Sequence, residues 1–403
     1  MRKIAFCLLL FLLSLSCKKQ SNHGSINSSG NYYVENFRKP GMTDFETLAA
    51  AYDSIPNNST LIFAPRTYVL NHTLYVYKAV HFKGPATIKR EDQIIFTLKQ
   101  AANQFSNFLI VTNTGGLRVK DRFFISMSQS NNDNTAINFI TSIHEDTIFL
   151  NGAMGQTFGG IGYFPAATTV YKNIEFFEIV DQTTTPPYQG CSFWNMTFDG
   201  NRDNNRGSYS WLLNSAVVAL TKQTNEFELC KFINSPGETV VGHNLHINNC
   251  TFYNLNGSAI HTSIDKLYAN ENEIHSVFTN NVFENTNQIP TEIGGHSEGS
   301  ITHSNSGGYY TATRNTFINV GKAVLAGLYP SVSIHDWGTS EITFTGNLIN
   351  GAGKIVRFIS VQPGIIHDVK IDSNTISNMP SYDWSGGINY FAPGIILKDQ
   401  SGQ

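Results

Sequence analysis

The strongest constraint on the fold of this chain is a short pattern that recurs through its C-terminal half. Each copy has an apolar residue, two further residues, a Cys or Asn, one more residue and then Phe or Ile. Measured at the Cys or Asn, successive copies are 20 to 34 residues apart, which is the period of a solenoid. The copies are FELCKFIN from Phe227, INNCTFYN from Ile247, FTNNVFEN from Phe278, ATRNTFIN from Ala312, FTGNLING from Phe344 and IDSNTISN from Ile371, with a degenerate FWNMTFDG from Phe193.

Apolar and polar residues alternate in each copy, which predicts a β-strand with one solvent-exposed face. The Gly or Asn that follows predicts a turn at the end of the strand. This alternation excludes helical repeats. An Asn that recurs at one turn position can bond the backbone of the neighbouring coil, and Asn tolerates the left-handed turn conformation. Cys230 and Cys250 take this position in adjacent copies. We expect them to be small buried members of the stack, and a disulfide or reactive thiol is the alternative.

The copies, over roughly residues 190–380, resemble the single-stranded right-handed β-helix, or pectin-lyase fold, of the pectate lyase superfamily. The resemblance implies an all-β protein that is a right-handed parallel β-helix solenoid with an N-terminal capping helix. It also points to carbohydrate as the substrate class and leaves the reaction open.

The N-terminal end of a solenoid needs a cap, because its first coil would otherwise expose core side chains and unpaired strand edges. Residues 43–54 predict a capping helix in which Thr43 and Glu46 form a capping box. The sequence Pro-Arg-Thr-Tyr at Pro65 resembles the first coils of pectate-lyase-like and phage-tailspike-like proteins. We therefore assign residues 34–90 to the cap and first coils. Residues 106–172 lack the repeat and predict a small β insertion.

The first residues predict export. Arg2 and Lys3 precede a short apolar run that ends in Ser-Leu-Ser-Cys at Cys17. This sequence resembles a bacterial lipoprotein signal, which implies a signal peptide at 1–16 and acyl chains on Cys17 that anchor the protein in a lipid bilayer. Residues 17–33 would be a flexible tether and residues 34–403 the β-helix domain. The expected location is the cell envelope, at the outer membrane on its periplasmic or surface face; an ordinary secretory peptide cut nearby is the alternative.

The composition limits the partners. With a net charge of −3 and 14% charged residues, the chain shows no basic stripe of the kind that binds nucleic acid. Cleavage before Cys17 would leave three cysteines besides the anchor, and this odd number predicts no disulfide framework. An extended rod with loops along one side favours a polymer, and we expect a polysaccharide.

Loops along one side of the rod would form a groove for the polymer. Aligning the strand that follows each copy predicts which residues lie near this groove. Strands 239–241, 259–261, 300–302, 323–325 and 355–357 align in this way. One outward column would then hold Glu238, Ser258, Lys322 and Lys354, and another would hold His261 and Arg357 with Val241, Thr302 and Leu325.

This arrangement predicts a lyase that cleaves an acidic polysaccharide by β-elimination. Lys322, Lys354 and Arg357 would neutralise a uronate carboxylate, and His261 would remove the proton beside it. A solvated face is the alternative for the two lysines.

Two other clusters compete for the chemistry. A glycoside hydrolase would use Glu298 as acid with Asp199 or Glu238 as its partner, and His296 lies in the same Gly-rich loop as Glu298. Asp199, Asn201 and Asp203 alternate in a loop and could bind Ca²⁺; a turn held by Asx hydrogen bonds is the alternative. Trp211 and Trp337 could stack on sugars in either enzyme. A third function, non-catalytic glycan binding at the envelope surface, also stays open.

If Cys17 carries the anchor, Cys17→Ser should give a product without attached lipid, because no other acyl attachment is predicted. Growth with a labelled fatty acid and recovery of the protein measures this directly, with the wild-type chain as the control. Retention of label by the variant would contradict the lipoprotein prediction.

Overall fold

A computed structural model describes residues 30–126, 135–153, 163–180, 190–205, 214–219, 221, 223–263, 275–287, 301–304, 308–320, 330–336, 340–351, 354–360, 366–378 and 395–399. Over these residues the chain winds as a parallel β-helix with three sides. Each strand pairs in parallel with the strand one coil later. The predicted all-β, right-handed parallel β-helix solenoid with an N-terminal helix is confirmed.

The first and second sides form one sheet of 17 strands, because two long strands, β5 and β15, bend from one side to the other. The first side contains β1 Asn31–Tyr33, β2 Ser59–Ile62, the start of β5 Val80–Arg90, the start of β15 Ser192–Asp199, β17 Asn225–Glu228, β20 Leu245–Asn248, β23 His275–Thr279, β26 Gly308–Thr313, β29 Ser340–Thr345 and β32 Ile366–Asp372. The second side contains β3 Thr67–Leu70, the ends of β5 and β15, β18 Lys231–Ile233, β21 Thr251–Tyr253, β24 Val282–Glu284, β27 Thr316–Ile318, β30 Leu348–Asn350 and β33 Thr375–Ser377.

The third side is a separate parallel sheet of nine strands. Its strands are β4 Leu74–Val76, β14 Phe177–Ile179, β16 Val217–Ala219, β19 Val240–Gly242, β22 Ile260–Ser263, β25 Ile301–Ser304, β28 Pro330–Asp336, β31 Lys354–Ser360 and β34 Ile395–Asp399. The predicted alignment of residues 323–325 with 300–302 is wrong, because Ile301 of β25 pairs with Val332 of β28; residues 323–325 themselves lie outside the described residues. The connections between the second and third sides vary in length, so spacing alone gave the wrong alignment.

Stacked phenylalanines fill the core beneath the second side. Phe232, Phe252, Phe283 and Phe317 are fully buried, and consecutive ring centroids lie 4.8 to 5.0 Å apart with nearly parallel planes. The register pairs the same residues directly. Each ring therefore packs on its copy one coil away, as the repeat predicts.

The recurring Asn forms a hydrogen-bonded ladder at the turn between the first and second sides. Asn281 Oδ1 accepts from Cys250 N at 2.8 Å, and its Nδ2 donates to Ile247 O at 2.8 Å, both in the preceding coil. Later coils repeat both bonds through Asn315, Asn347 and Asn374. Cys230 N donates to Cys250 Sγ, and both thiols are buried and unbridged. The predicted bonding of the Asn amides and the predicted role of the cysteines are confirmed.

The left-handed turn conformation belongs to other positions. Asn280 and Arg314, which precede Asn281 and Asn315, have φ of 57° and 56°. The ladder residues Asn281, Asn315 and Asn347 are not left-handed, so the tolerance of Asn for that conformation does not explain why Asn recurs there. A second left-handed series ends the strands of the second side at Asn234, Asn254, Asn285, Asn319 and Asn378.

Helix α1, Asp44–Ser54, caps the N-terminal end. Both bonds of the predicted Thr43–Glu46 capping box are present, and Leu48 and Tyr52 are buried against the first coils, with Phe45 and Ala49 packed beside them. A 3₁₀ turn, Val34–Phe37, precedes the helix. Strand β1 pairs with β2, so the last three residues of the predicted tether 17–33 are part of the sheet. No helix within the described ranges is long and apolar enough to span a bilayer.

An antiparallel subdomain interrupts the early coils. Its strands are β6 Ile95–Thr97, β7 Ala102–Asn103, β8 Phe108–Ile110, β9 Arg122–Ser126, β10 Thr135–His144, β11 Thr147–Leu150, β12 Tyr163–Phe164 and β13 Thr169–Asn173. Six of them form one sheet in the order β6-β13-β9-β10-β11-β8 over its own apolar core. The predicted insertion at 106–172 lies within this subdomain, which begins earlier, at β6, because β6 pairs with β13.

Arg90 joins the coils on either side of the insertion. Its side chain is fully buried and donates to the carbonyl oxygens of Ile174, Gly200, Asn214 and Ser215 at 2.6 to 3.0 Å. Burial lowers the pKa of the Arg90 guanidinium to about 9. The carboxylates of Glu175 and Asp199 oppose this shift of the pKa without bonding to the guanidinium. The four carbonyls that accept from it come from segments more than 80 residues away in sequence.

Phe283→Ala should lower the free energy of unfolding by about 3 to 5 kcal/mol, because it leaves a cavity between two stacked rings. Chemical denaturation of the purified variant measures the loss. Phe105, which is 77% exposed, provides the matched control, and Phe105→Ala should change stability by less than about 0.5 kcal/mol. Equal effects of the two substitutions would show that the ring stack does not stabilise the solenoid.

Candidate functional site

The register of the third side aligns the predicted site residues. Val240, Ile260 and Ile301 form a core-facing column, and Val241, His261 and Thr302 pair one position later, both as predicted. The outer column is the set of residues that the register aligns with His261. Its members are Tyr75, Glu178, Val218, Val241, His261, Thr302, Ser333, Arg357 and Ile396.

Glu238 and His261 form a buried pair between adjacent coils. Glu238 lies in the turn before β19 and His261 lies in β22, and Glu238 Oε1 is 2.6 Å from His261 Nδ1. Their side chains are 4% and 6% exposed. Because the carboxylate contacts Nδ1, it fixes the orientation of the ring. An imidazole oriented by a carboxylate is the arrangement of a general base.

Both faces of the third side are covered beside this pair. Val218 and Val241 of the outer column are 2% and 0% exposed, although Val217 and Val240 already face the core. The pair therefore lies in a water-poor environment, where a carboxylate and an imidazolium attract each other more strongly than in water. Burial of this kind is found in both catalytic and structural ion pairs. Replacing the histidine distinguishes the two, because it lowers turnover strongly only when the histidine is catalytic.

Arg357 shares the outer column with His261, as predicted. Two strands lie between them, so their backbones are about 14 Å apart, three strand spacings of about 4.8 Å. Ser333 takes the position predicted for Leu325. Pro330 stands opposite Lys354, where Lys322 was predicted, because β28 lies further along the chain than spacing indicated.

Several predicted site residues lie outside the described residues. They are Cys17, Trp211, His296, Glu298, Lys322, Leu325 and Trp337. Their roles stay predictions. For Lys354 and Arg357 the structure describes the strand position alone.

The loop of Asp199, Asn201 and Asp203 forms a turn. Asp199 Oδ1 accepts from Asn201 N at 3.0 Å, which is an Asx turn, and Asn201 is left-handed with φ of 51°. Asn201 Oδ1 accepts from Asn204 Nδ2, and the Asp203 side chain is 93% exposed. The three groups do not converge, so the geometry supports the Asx turn over the calcium loop. The described residues contain no group of three or more His, Cys, Asp or Glu placed to hold a metal ion.

Asp199 lies apart from the buried pair. It ends β15 on the second side, whereas His261 lies on the third, and the described contacts of Asp199 are with Asn201 and Asn234. The structure therefore places Asp199 and Glu238, the two candidate partners of Glu298, on different sides of the solenoid.

Sequence reasoning missed a network of buried charges where the insertion meets the third side. His72 Nδ1 lies 2.7 Å from Asp121 Oδ1, and Lys172 Nζ lies 3.0 Å from Asp121 Oδ2. All three side chains are at most 6% exposed. Burial lowers the pKa of Lys172 despite the nearby Asp121. Charges inside apolar strands, such as KDRFF and IEFFE, are the signal that could have found this network.

The same junction covers the first members of the outer column. Arg122 of β9 binds Glu175 at 2.9 Å and Glu178 at 3.1 Å, and Tyr75 Oη donates to Lys120 O. Burial raises the pKa of Glu178 to about 7, and Arg122 opposes this shift. The insertion therefore closes one end of the third side's outer face.

An open cavity of about 600 Å³ lies where the second side meets the insertion. Polar and apolar groups both line it, and the lining residues are Val69, Asn71, Lys89, Arg90, Glu91, Asp92, Ile94 and Gly116. It is separate from the Glu238–His261 pair, since none of these residues belongs to the third side.

No protein-family model matches the chain, and no curated protein sequence matches it. Among solved structures, three phage tailspikes are similar. Gp54 of Acinetobacter baumannii bacteriophage AP22, in complex with A. baumannii capsular saccharide, is 11% identical over 86% of this chain and 69% of its own, with a TM-score of 0.22. Gp61 of Pseudomonas phage phi297 is 11% identical over 88% and 81%, with a TM-score of 0.23. Gp49 of Pseudomonas phage LKA1 is 12% identical over 83% and 74%, with a TM-score of 0.19.

The raised pKa of Glu178 predicts a stability that depends on pH. The folded pKa lies above the unfolded value, so the contribution of Glu178 is fully present below about pH 4.5 and is lost as pH rises through about 7. Glu178→Gln removes the ionisable group. We expect its stability relative to the wild type to increase from about pH 5 to about pH 8.

Urea unfolding of both chains at the two pH values measures this difference. Glu284→Gln, on the second side, is the control and should show a constant difference. A constant or decreasing difference for Glu178→Gln would contradict the assigned pKa.

Proposed function

We propose that this protein is an exported, membrane-anchored enzyme that depolymerises an extended acidic polysaccharide by β-elimination. The observation that carries the proposal is the 2.6 Å contact between Glu238 Oε1 and His261 Nδ1 in the outer column of a continuous parallel sheet. Because both side chains are buried, the polymer must displace whatever covers the pair to reach His261. His261 acts as the general base, and Glu238 positions its ring.

The reaction requires one proton to leave the carbon beside the uronate carboxyl group. His261 Nε2 takes this proton, the electron pair of the broken C–H bond forms a carbon–carbon double bond, and the glycosidic oxygen leaves with its bonding electrons. The leaving oxygen takes up one proton, so the products contain all the atoms of the substrate and no water is consumed. One product carries an unsaturated end.

The environment of the pair supports this role. After proton abstraction the imidazole is positively charged, and the carboxylate at Nδ1 stabilises that charge strongly because the site is poor in water. A carboxylate held at this position also keeps the base in one orientation throughout the cycle.

Arg357 fits a substrate that spans several coils. At about 14 Å from His261 along the outer column, it is too distant to hold the carboxylate of the reacting sugar. We assign it to the carboxylate of another unit of the same chain, in place of a clamp at the reacting sugar.

The lipoprotein signal supports the proposed location. With acyl chains on Cys17 and a short segment before β1, the enzyme would stay at the outer membrane while its solenoid extends into the surrounding medium. Polymers too large to enter the cell are the substrates that such a location favours.

His261→Gly should lower turnover by about a hundredfold to ten-thousandfold, because it removes the base. Added imidazole should restore part of the activity, since it can occupy the space of the missing ring, and a purely structural histidine would not respond in this way. Turnover is followed by ultraviolet absorbance of unsaturated product ends on polygalacturonate and alginate. Glu238→Gln should lower turnover and shift its pH profile, and Glu284→Gln is the matched control.

Three outcomes would contradict the proposal. Full activity in both His261→Gly and Glu238→Gln would make the pair structural. New reducing ends without absorbance would show hydrolysis. Retention of either polymer by the wild-type chain with no new ends would show binding alone.

A further inference from the structure

The outward face of the first side carries polar and aromatic residues that the proposed elimination does not use. The register aligns them in two neighbouring columns over four consecutive strands, β5, β15, β17 and β20. We call these residues the first-side strip. Its members are His81, Ser192, Glu226 and His246 in one column and Lys83, Trp194, Glu228 and Asn248 in the other.

Trp194 is the aromatic centre of the strip. Its side chain is 39% exposed, whereas Phe193 and Met196 of the same strand are buried. Lys83 Nζ lies 4.9 Å from the centroid of its ring, which helps to hold the indole in place. An exposed, held indole offers a flat surface on which a sugar ring can stack.

Fixed hydrogen-bonding groups surround Trp194. Glu228, the next residue of its column, accepts from Asn248 Nδ2 at 2.7 Å and from Asn249 Nδ2 at 2.9 Å. Glu226 lies two residues earlier in the same strand and therefore on the same face. His81 Nδ1 lies 2.8 Å from Ser192 Oγ. Because neighbouring coils already hold Glu228, His81 and Ser192, a ligand would order few of these side chains on binding.

A second aromatic step lies on the same outward face, further along the first side and displaced from the strip. The rings of His275 and Tyr309, paired in β23 and β26, stack with centroids 4.3 Å apart. The register aligns the column of Trp194 with Thr279 of β23, so His275 lies four residues earlier, about 13 Å across the sheet. From β15 to β26 there are four strand spacings, about 19 Å. A ligand that contacts both aromatic steps would therefore be extended and would cross the first side diagonally.

The charge of the strip selects the ligand. Glu226 and Glu228 outnumber the single lysine, Lys83, so a polymer with repeated carboxylates would be repelled. Carboxylates accept hydrogen bonds well from sugar hydroxyl groups. The strip therefore matches an uncharged polymer of sugars and does not match the acidic substrate proposed for the third side.

We propose that the first-side strip binds an extended neutral glycan, with Trp194 as the stacking platform and Glu226 and Glu228 as acceptors for its hydroxyl groups. This binding goes beyond the enzyme activity and lies on a different side of the solenoid. It would hold the protein on a glycan matrix while the third side acts on another polymer.

Affinity electrophoresis of the full chain in detergent tests the proposal. Gels contain xylan, hydroxyethylcellulose or galactomannan as neutral polymers and polygalacturonate or alginate as anionic ones. We expect at least one neutral polymer to retard the wild-type chain. Trp194→Ala should raise its Kd by about tenfold or more, and Glu228→Gln should give a smaller rise.

Two controls make the result specific. Tyr253 is 41% exposed on the second side, so Tyr253→Ala removes an exposed aromatic ring elsewhere and should leave binding unchanged. Glu238→Gln should also bind normally, which separates this proposal from the proposed enzyme activity. Circular dichroism verifies the fold of each variant, and Glu228→Gln serves as the test if Trp194→Ala does not fold.

The proposal is overturned if no neutral polymer retards the wild-type chain. Equal binding by Trp194→Ala and Tyr253→Ala would also overturn it. Retardation by the anionic polymers that depends on Trp194 would show that the strip selects a different class of glycan.

Discussion

The side-chain amide of a buried asparagine that reaches back one coil is the interaction on which the ladder coils depend. Asn281 accepts from the backbone N–H of Cys250 and donates to the carbonyl of Ile247. A buried turn would otherwise leave these groups unpaired, at a cost of about 1 to 3 kcal/mol each. The amide has one acceptor and two donors, so a single side chain satisfies both sides of the turn and fixes the distance to the next coil.

Much of the solenoid could be predicted from sequence because its contacts repeat. Alternation identified the buried phenylalanines, and the Asn or Cys position gave the register of the second side. The third side was harder, because loops of different lengths precede its strands. β22 was placed correctly and β28 was not, since the segment before β28 contains no repeated residue that marks the start of a strand.

In the candidate site, too, the residues that repeat could be predicted from sequence and the residues that do not repeat could not. Glu238 and His261 were found because the strands beside them align through Val240 and Ile260. The charge network at the insertion was missed because its partners are distant in sequence; Arg122 and Glu175, for example, are 53 residues apart. No repeat relates them, and only the folded chain shows which buried charges meet. Trp194 lies in the degenerate copy FWNMTFDG, at a position where alternation predicts an outward side chain. That position is the sequence signal for an exposed tryptophan.

The carbonyl groups that accept from Arg90 couple the folding of distant segments. Arg90 lies near the start of the solenoid, yet two of its acceptors belong to Asn214 and Ser215, more than 120 residues later. Until those residues reach the first coils, the buried cation lacks part of its set of partners. We therefore expect the coil that contains Arg90 to close late, after the insertion and the chain beyond it have folded back to this point.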